Sequence, residues 1–153
     1  MYWCCAQVET RRERFASHFL GLAGYQIYSP LLREQRRRHG RKIITTPPLF
    51  PGYLFLWVVS GWWSARWSPG VVRLVMDGEQ PARVADAVIS EIRSRERNGF
   101  VELKPRGLRP GTRVRVTSGP LSERIGMLAV LKPHERMVVL LNLLAATSAS
   151  TLP

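Results

Sequence analysis

Along the first hundred residues the apolar pattern changes period several times. Tyr2 to Val8 is almost continuously apolar and reads as a strand. Thr10 with Glu13 three positions on is a capping-box pattern that opens a helix. Phe15, Phe19 and Leu22 then recur at spacings of four and three, with Leu20 and Ala23 beside them, which predicts one apolar helix face closed by Gly24. Tyr25 to Leu32 is β-like and broken by Pro30; Gly40 turns a hairpin whose return strand is Lys42 to Thr46.

The next stretch organises the rest. Pro47, Pro48 and Pro51 remove backbone donors and fix φ, so this segment cannot lie inside a sheet ladder. It feeds Tyr53 to Val59, an unbroken run of strand-forming apolar and aromatic residues. Such a strand is buried on both faces, or one face docks onto something else. An aromatic-rich connection (Ser60 to Gly70), a strand over Val71 to Met76 and an Asp77-Gly78 turn follow. A second helix fits residues 85 to 96, with Val88, Ile89 and Ile92 inward and Glu91, Arg93 and Arg95 outward. The order predicts an α+β fold, one antiparallel sheet flanked by helices.

Residues 97 to 109 read as a linker: charged, carrying Gly and Pro, without periodicity. Beyond them come short strand-like runs at Thr112 to Thr117, Ile125 to Leu131 and Met137 to Leu144, with Pro133-His134-Glu135-Arg136 as a turn. That pattern predicts a small C-terminal β-barrel. The expected division is 1–96, a linker over 97–109 and 110–153.

Charge adds a partner class. The 153 residues carry a net +12, which points to nucleic acid or another polyanion. Arg33 to Lys42 alone holds six cations against Glu34, a net +5. Phosphate contact without sequence reading is expected of it, although such runs are most often solvated loops. No apolar stretch reaches membrane-spanning length, and the start lacks the basic region of a signal peptide. Cys4 and Cys5 are adjacent, too strained to pair and too few for zinc, and read as buried strand residues. Acidic pairs at metal spacing, a P-loop, a nucleophile elbow and an HExxH motif are all lacking, so neither an enzyme nor a cofactor is expected.

The motifs carry a resemblance. Pro48-Leu49-Phe50-Pro51-Gly52-Tyr53-Leu54-Phe55, followed by Pro69-Gly70-Val71-Val72-Arg73-Leu74-Val75, resembles the core signature of the NusG N-terminal domain. Trp3, Arg12-Glu13-Arg14 and Gly24 to Pro30 are similar to that family as well. Pro110 to Leu121 with Gly126 resembles a KOW motif, an SH3-like barrel, although Glu123 stands where glycine is usual and the last strand is short. The resemblance implies a bacterial transcription elongation and antitermination factor. Such a factor is cytoplasmic, nucleoid-associated during transcription and monomeric. It bridges the RNA polymerase cleft from the β′ clamp helices to the β gate loop, touches upstream non-template DNA and reduces pausing or termination. Its KOW domain recruits Rho or a small ribosomal subunit protein.

Carried over by position, Leu49, Phe50, Tyr53 and Phe55 form the clamp-binding face, and Trp62, Trp63 and Ser64 the gate-loop contact. Arg11, Arg14, His18 and Arg73 face DNA, joined by Arg36, Arg37 and Arg38 of the basic run. The strong basicity and the run Met137 to Leu144 are similar to the specialised paralogue RfaH. RfaH-like proteins can hold the C-terminal domain as a helical hairpin against the clamp-binding face. Here Pro133 and Val138-Val139 favour the barrel strand instead. Without the resemblance, Tyr53 and Phe55 read as core and the tryptophans as plugs at a sheet edge. The alternative function is a KOW-containing ribosome- or RNA-binding protein of translation.

Overall fold

The computed structural model describes residues 1–103 and 131–150. In chain order its elements begin with β1 (Tyr2–Val8), α1 (Glu13–Leu22), β2 (Gln26–Tyr28), β3 (Glu34–Arg38) and β4 (Arg41–Thr45). Next come β5 (Tyr53–Val58), a 3-10 turn (Trp63–Trp67), β6 (Val71–Leu74), β7 (Met76–Asp77), β8 (Gln80–Pro81) and β9 (Arg83–Val84). They end with α2 (Asp86–Ser94), β10 (Glu96–Arg97), β11 (Phe100–Val101) and a helix over Pro133–Ser150, here α3. The central sheet runs β2-β5-β1-β6, with β9 also pairing β1, and every pairing in it is antiparallel. This is the expected α+β architecture.

Strand alternation separates two cores. Cys4, Ala6 and Val8 of β1 and Leu54, Leu56 and Val58 of β5 face α1 and the 3-10 turn, where Ala16, Leu20, Trp62 and Ala65 meet them. Trp3, Cys5 and Phe55 point the other way, toward Ile89 and Ile92 of α2 and Leu140 and Leu144 of α3. The sheet is therefore covered on both faces, which explains why β1 and β5 show so little polar alternation.

Three sequence expectations change. The buried side of α1 holds Glu13, Ala16 and Leu20, while Phe15 and Leu22 are exposed. A tight approach selects this face: a Cβ on Gly70 (φ 87°) would lie 3.0 Å from Phe15 Cδ1 and 3.1 Å from Ala16 Cβ. Only glycine before β6, and a small residue at position 16, let the helix sit this close. Nor do Thr10 and Glu13 form a capping box, since the N-cap is Arg12 and no side chain caps it. Residues 97 to 103, expected to be linker, are built into the domain through the β10–β11 hairpin. Val101 is fully buried and exchanges backbone bonds with Leu31 (2.7 Å) and Arg33 (3.1 Å).

Met137 to Leu144, expected as a barrel strand, lies inside α3. The residues read as a turn are a helix start. Pro133 takes the first helical position, where a missing N–H costs nothing, and Glu135 Oε1 accepts the Lys132 N–H at 3.1 Å. Arg136, Val139, Leu140 and Leu144 then recur at helical spacing and are all buried. Burial of that stripe outweighs the weak helix propensity of Val138 and Val139. The other expected barrel strands, Thr112 to Thr117 and Ile125 to Leu131, fall almost wholly outside the described residues.

Candidate functional site

The proline-rich entry to β5 is held at several points. Leu49 N–H donates to the Pro30 carbonyl (2.9 Å), and Leu32 N–H to that of Pro47 (2.8 Å). Gly52, at φ 82°, donates to the buried Glu13 carboxylate (2.9 Å), and its own carbonyl accepts the Val8 N–H (2.8 Å). Glu13, read from sequence as a cap, thus ties α1 to the turn that launches β5.

The segment so fixed builds an aromatic face. The Phe50 and Phe55 rings meet edge to face at 6.0 Å, and Tyr28 stacks on Phe55 at 6.2 Å. The Tyr28 hydroxyl donates to the Glu96 carboxylate, and the Arg93 guanidinium lies 4.8 Å over the Tyr28 ring and 5.4 Å from Trp3. Burial first, and the Glu96 hydrogen bond second, raise the Tyr28 hydroxyl above its ordinary pKa and keep it a donor.

Helix α3 packs against β9 and joins the apolar cluster of this face. Leu49, Phe50 and Phe55 share that cluster with Val139, Leu140 and Leu144, and Tyr53, like Tyr28, stays half-buried at its margin. Arg136 sits under the helix at 2% exposure, 3.8 Å from Glu34, with its Nε unpartnered. Burial lowers its pKa, Glu34 opposes that and Arg36 adds to it. No local pattern links these two residues, which stand about a hundred positions apart.

The expected gate-loop residues split. Trp62 is core, whereas Trp63 stacks on it at 4.0 Å and is 57% exposed. Ser64 Oγ is within 2.7 Å of the Tyr25 hydroxyl, which also donates to the Gly61 carbonyl. Arg66 and Trp67 escaped the sequence reading. The Arg66 guanidinium lies 5.0 Å from the Trp63 ring and 4.7 Å from the Trp67 ring, extending the stack outward. A tryptophan recurring four positions after another was the available signal.

The expected DNA-facing residues fall in three places. Arg11, Arg14 and His18 line one cleft of about 670 Å³, with Ser17 and Phe100 among its other walls. Arg36, Arg37 and Arg38 stand apart on the β3–β4 ribbon. Arg73 is on the sheet face opposite α1: its Nε donates to Gln7 Oε1 (2.8 Å), and Gln7 also pairs with Tyr53. It is not grouped with Arg14. Among the described residues no cluster of His, Cys, Asp or Glu could hold a metal, and no helix is long and apolar enough to cross a membrane.

Comparison with known proteins settles the family. The family model described as NusG, "Transcription termination factor nusG", matches residues 1–93. This chain belongs to the NusG family. The "Transcription termination/antitermination protein NusG" of Thermus thermophilus is 30% identical over 115 residues, 67% of this chain. The match spans 61% of that NusG relative's length. A solved structure described as "Domain interaction in Thermotoga maritima NusG" aligns over 60% of this chain and 54% of its own, at TM-score 0.40 and 22% identity.

Proposed function

We propose that this chain is a transcription termination/antitermination factor that binds RNA polymerase and upstream DNA and catalyses nothing. Membership of the NusG family supports the general role. The observation that carries the specific reading is the aromatic face of Leu49, Phe50, Tyr53 and Phe55, which shares one apolar cluster with α3. Rigid aromatics on a strand suit an interface hot spot, since each buries a large area at low entropic cost. In this reading the face docks on the β′ clamp helices, and α3 must leave before it can.

Trp63, with Trp62 behind it and Ser64 beside it, serves as the gate-loop contact at the other side of the cleft. Arg11, Arg14, His18 and the ribbon arginines Arg36, Arg37 and Arg38 meet upstream non-template DNA. Arg73, separated from Tyr53 by Gln7 of β1, lies between the polymerase and DNA surfaces. Once α3 is released, residues 110–153 act as the KOW domain, joined through a linker, and recruit Rho or a small ribosomal subunit protein. The factor works as a cytoplasmic monomer at the transcribed nucleoid.

The test is capture of purified core polymerase by the wild-type chain, by Leu140→Asp, which loosens α3, and by Leu140→Asp with Tyr53→Ala. Tyr53 is only half-buried, so its truncation leaves the fold intact. Capture should rise with the first change and fall with the second. Equal capture by all three folded proteins would exclude this face as the docking surface.

A further inference from the structure

The β3–β4 ribbon has features that phosphate contact alone does not require. It forms its own two-stranded sheet, off the central one. His39 (φ 53°) and Gly40 (φ 75°) both take left-handed backbone at its tip, the geometry of a tight primed turn that keeps a ribbon twisted and stiff. Its register places Arg37 opposite Lys42 and Arg38 opposite Arg41. Like charges directly opposite destabilise a strand pair, so the ribbon carries a cost that a bound polyanion would relieve. Among the described residues none of these four cations is in an ion pair, and all four are exposed.

The cations also divide between the two faces. Alternation puts the Arg38–Arg41 pair, with Arg36, on one face and the Arg37–Lys42 pair on the other. A flat phosphate surface would need one cationic face. Two cationic faces suit a slot with phosphates on both walls. The strands contain no aromatic side chain, and so lack the stacking platforms that hold single-stranded nucleic acid. A B-form major groove, about 12 Å wide, admits a two-stranded ribbon. The A-form RNA major groove is too deep and narrow for it. Five residues per strand reach about 17 Å, long enough to cross such a groove.

We infer that the β3–β4 ribbon inserts between the two phosphate walls of a double-stranded DNA groove. This rests on the proposed DNA contact of Arg36, Arg37 and Arg38 and assigns its form: duplex DNA gripped from both faces of the ribbon.

The experiment is equilibrium binding of the full chain, followed by fluorescence anisotropy across a salt series. The probes are a short labelled DNA duplex, one of its strands alone, and an RNA duplex of the same sequence. The variants are Arg37→Gln/Lys42→Gln, Arg38→Gln/Arg41→Gln and all four together. The DNA duplex should bind at least tenfold tighter than either other probe. Each pair variant should lower the slope of log affinity against log salt by about 2, and the quadruple variant by about 3 to 4. Equal affinity for the single strand or the RNA duplex, or a slope that responds to one face only, overturns groove insertion while the ribbon's DNA contact stands. A slope unmoved by all four changes overturns that contact as well. Polymerase capture, which does not use these side chains, should be unchanged in every variant.

Discussion

The Arg136 guanidinium lies 3.8 Å from a carboxylate oxygen of Glu34, on the buried side of a helix that shares an apolar cluster with Phe55. The pair is unequal. Arg136 is almost wholly buried, whereas Glu34 keeps a quarter of its side chain in solvent and also holds Arg36 at 3.2 Å. A buried cation with one shared, long contact and an unpartnered Nε is costly to keep.

Removing Glu34 should therefore loosen α3 without touching it. Glu34→Gln leaves Arg136 buried without a counter-charge and should destabilise helix docking by about 1–3 kcal/mol. Arg136→Met, which fills the same space without charge, should hold the helix as well or better. Amide exchange over residues 136–144 checks both: faster in the first variant, equal or slower in the second.

Glu13→Ala should destabilise the domain by about 1–3 kcal/mol, because it strands the buried Gly52 N–H. Glu13→Gln keeps an acceptor and should recover much of the loss. Urea denaturation of the two variants provides the comparison.

Two tryptophans of the same connection should behave differently. Trp62→Ala removes a core side chain and should cost about 3–5 kcal/mol. Trp67→Ala, at 76% exposure, should change stability by less than about 0.5 kcal/mol. Thermal unfolding separates the two.

Both cysteines are buried, and burial raises the Cys4 thiol from an ordinary value of 9.0 to about 12, with Cys5 raised further. A group whose folded pKa is raised favours the folded state only while it stays protonated in the unfolded chain. That stabilisation is whole below pH 9 and is lost as pH climbs from there toward 12. Stability should fall over that window in the wild type and less steeply in Cys4→Ala. Native chain should resist alkylation at pH 8 and react on unfolding.

Much of the N-terminal fold was legible because period and punctuation agree there. The strand pattern of β5, the turn at Gly40 and the Val88, Ile89 and Ile92 stripe all correspond to what folds. Contacts distant in sequence were not legible. Glu13 looked like a cap, but its partner Gly52 is 39 positions away. Phe15 and Leu22 formed the larger apolar stripe on α1, yet Ala16 is the side chain buried at the close approach to Gly70, with Phe15 at its rim and Leu22 in solvent. Met137 to Leu144 is apolar enough for strand or helix, and the apolar cluster it joins beside β9, not its own propensity, gives the helix its buried side. The candidate site was legible residue by residue, but its cover was not.

The most direct measurement of the central claim is the affinity of the intact chain for core RNA polymerase before and after α3 is loosened. Leu140 is 1% exposed within the cluster over Phe55, so Leu140→Asp should free the helix and leave the sheet and α1 in place. Affinity should rise at least tenfold, and Tyr53→Ala in the same chain should reverse the gain. Affinity that stays the same or falls, in a variant shown by amide exchange to have lost α3 docking, would contradict the claim.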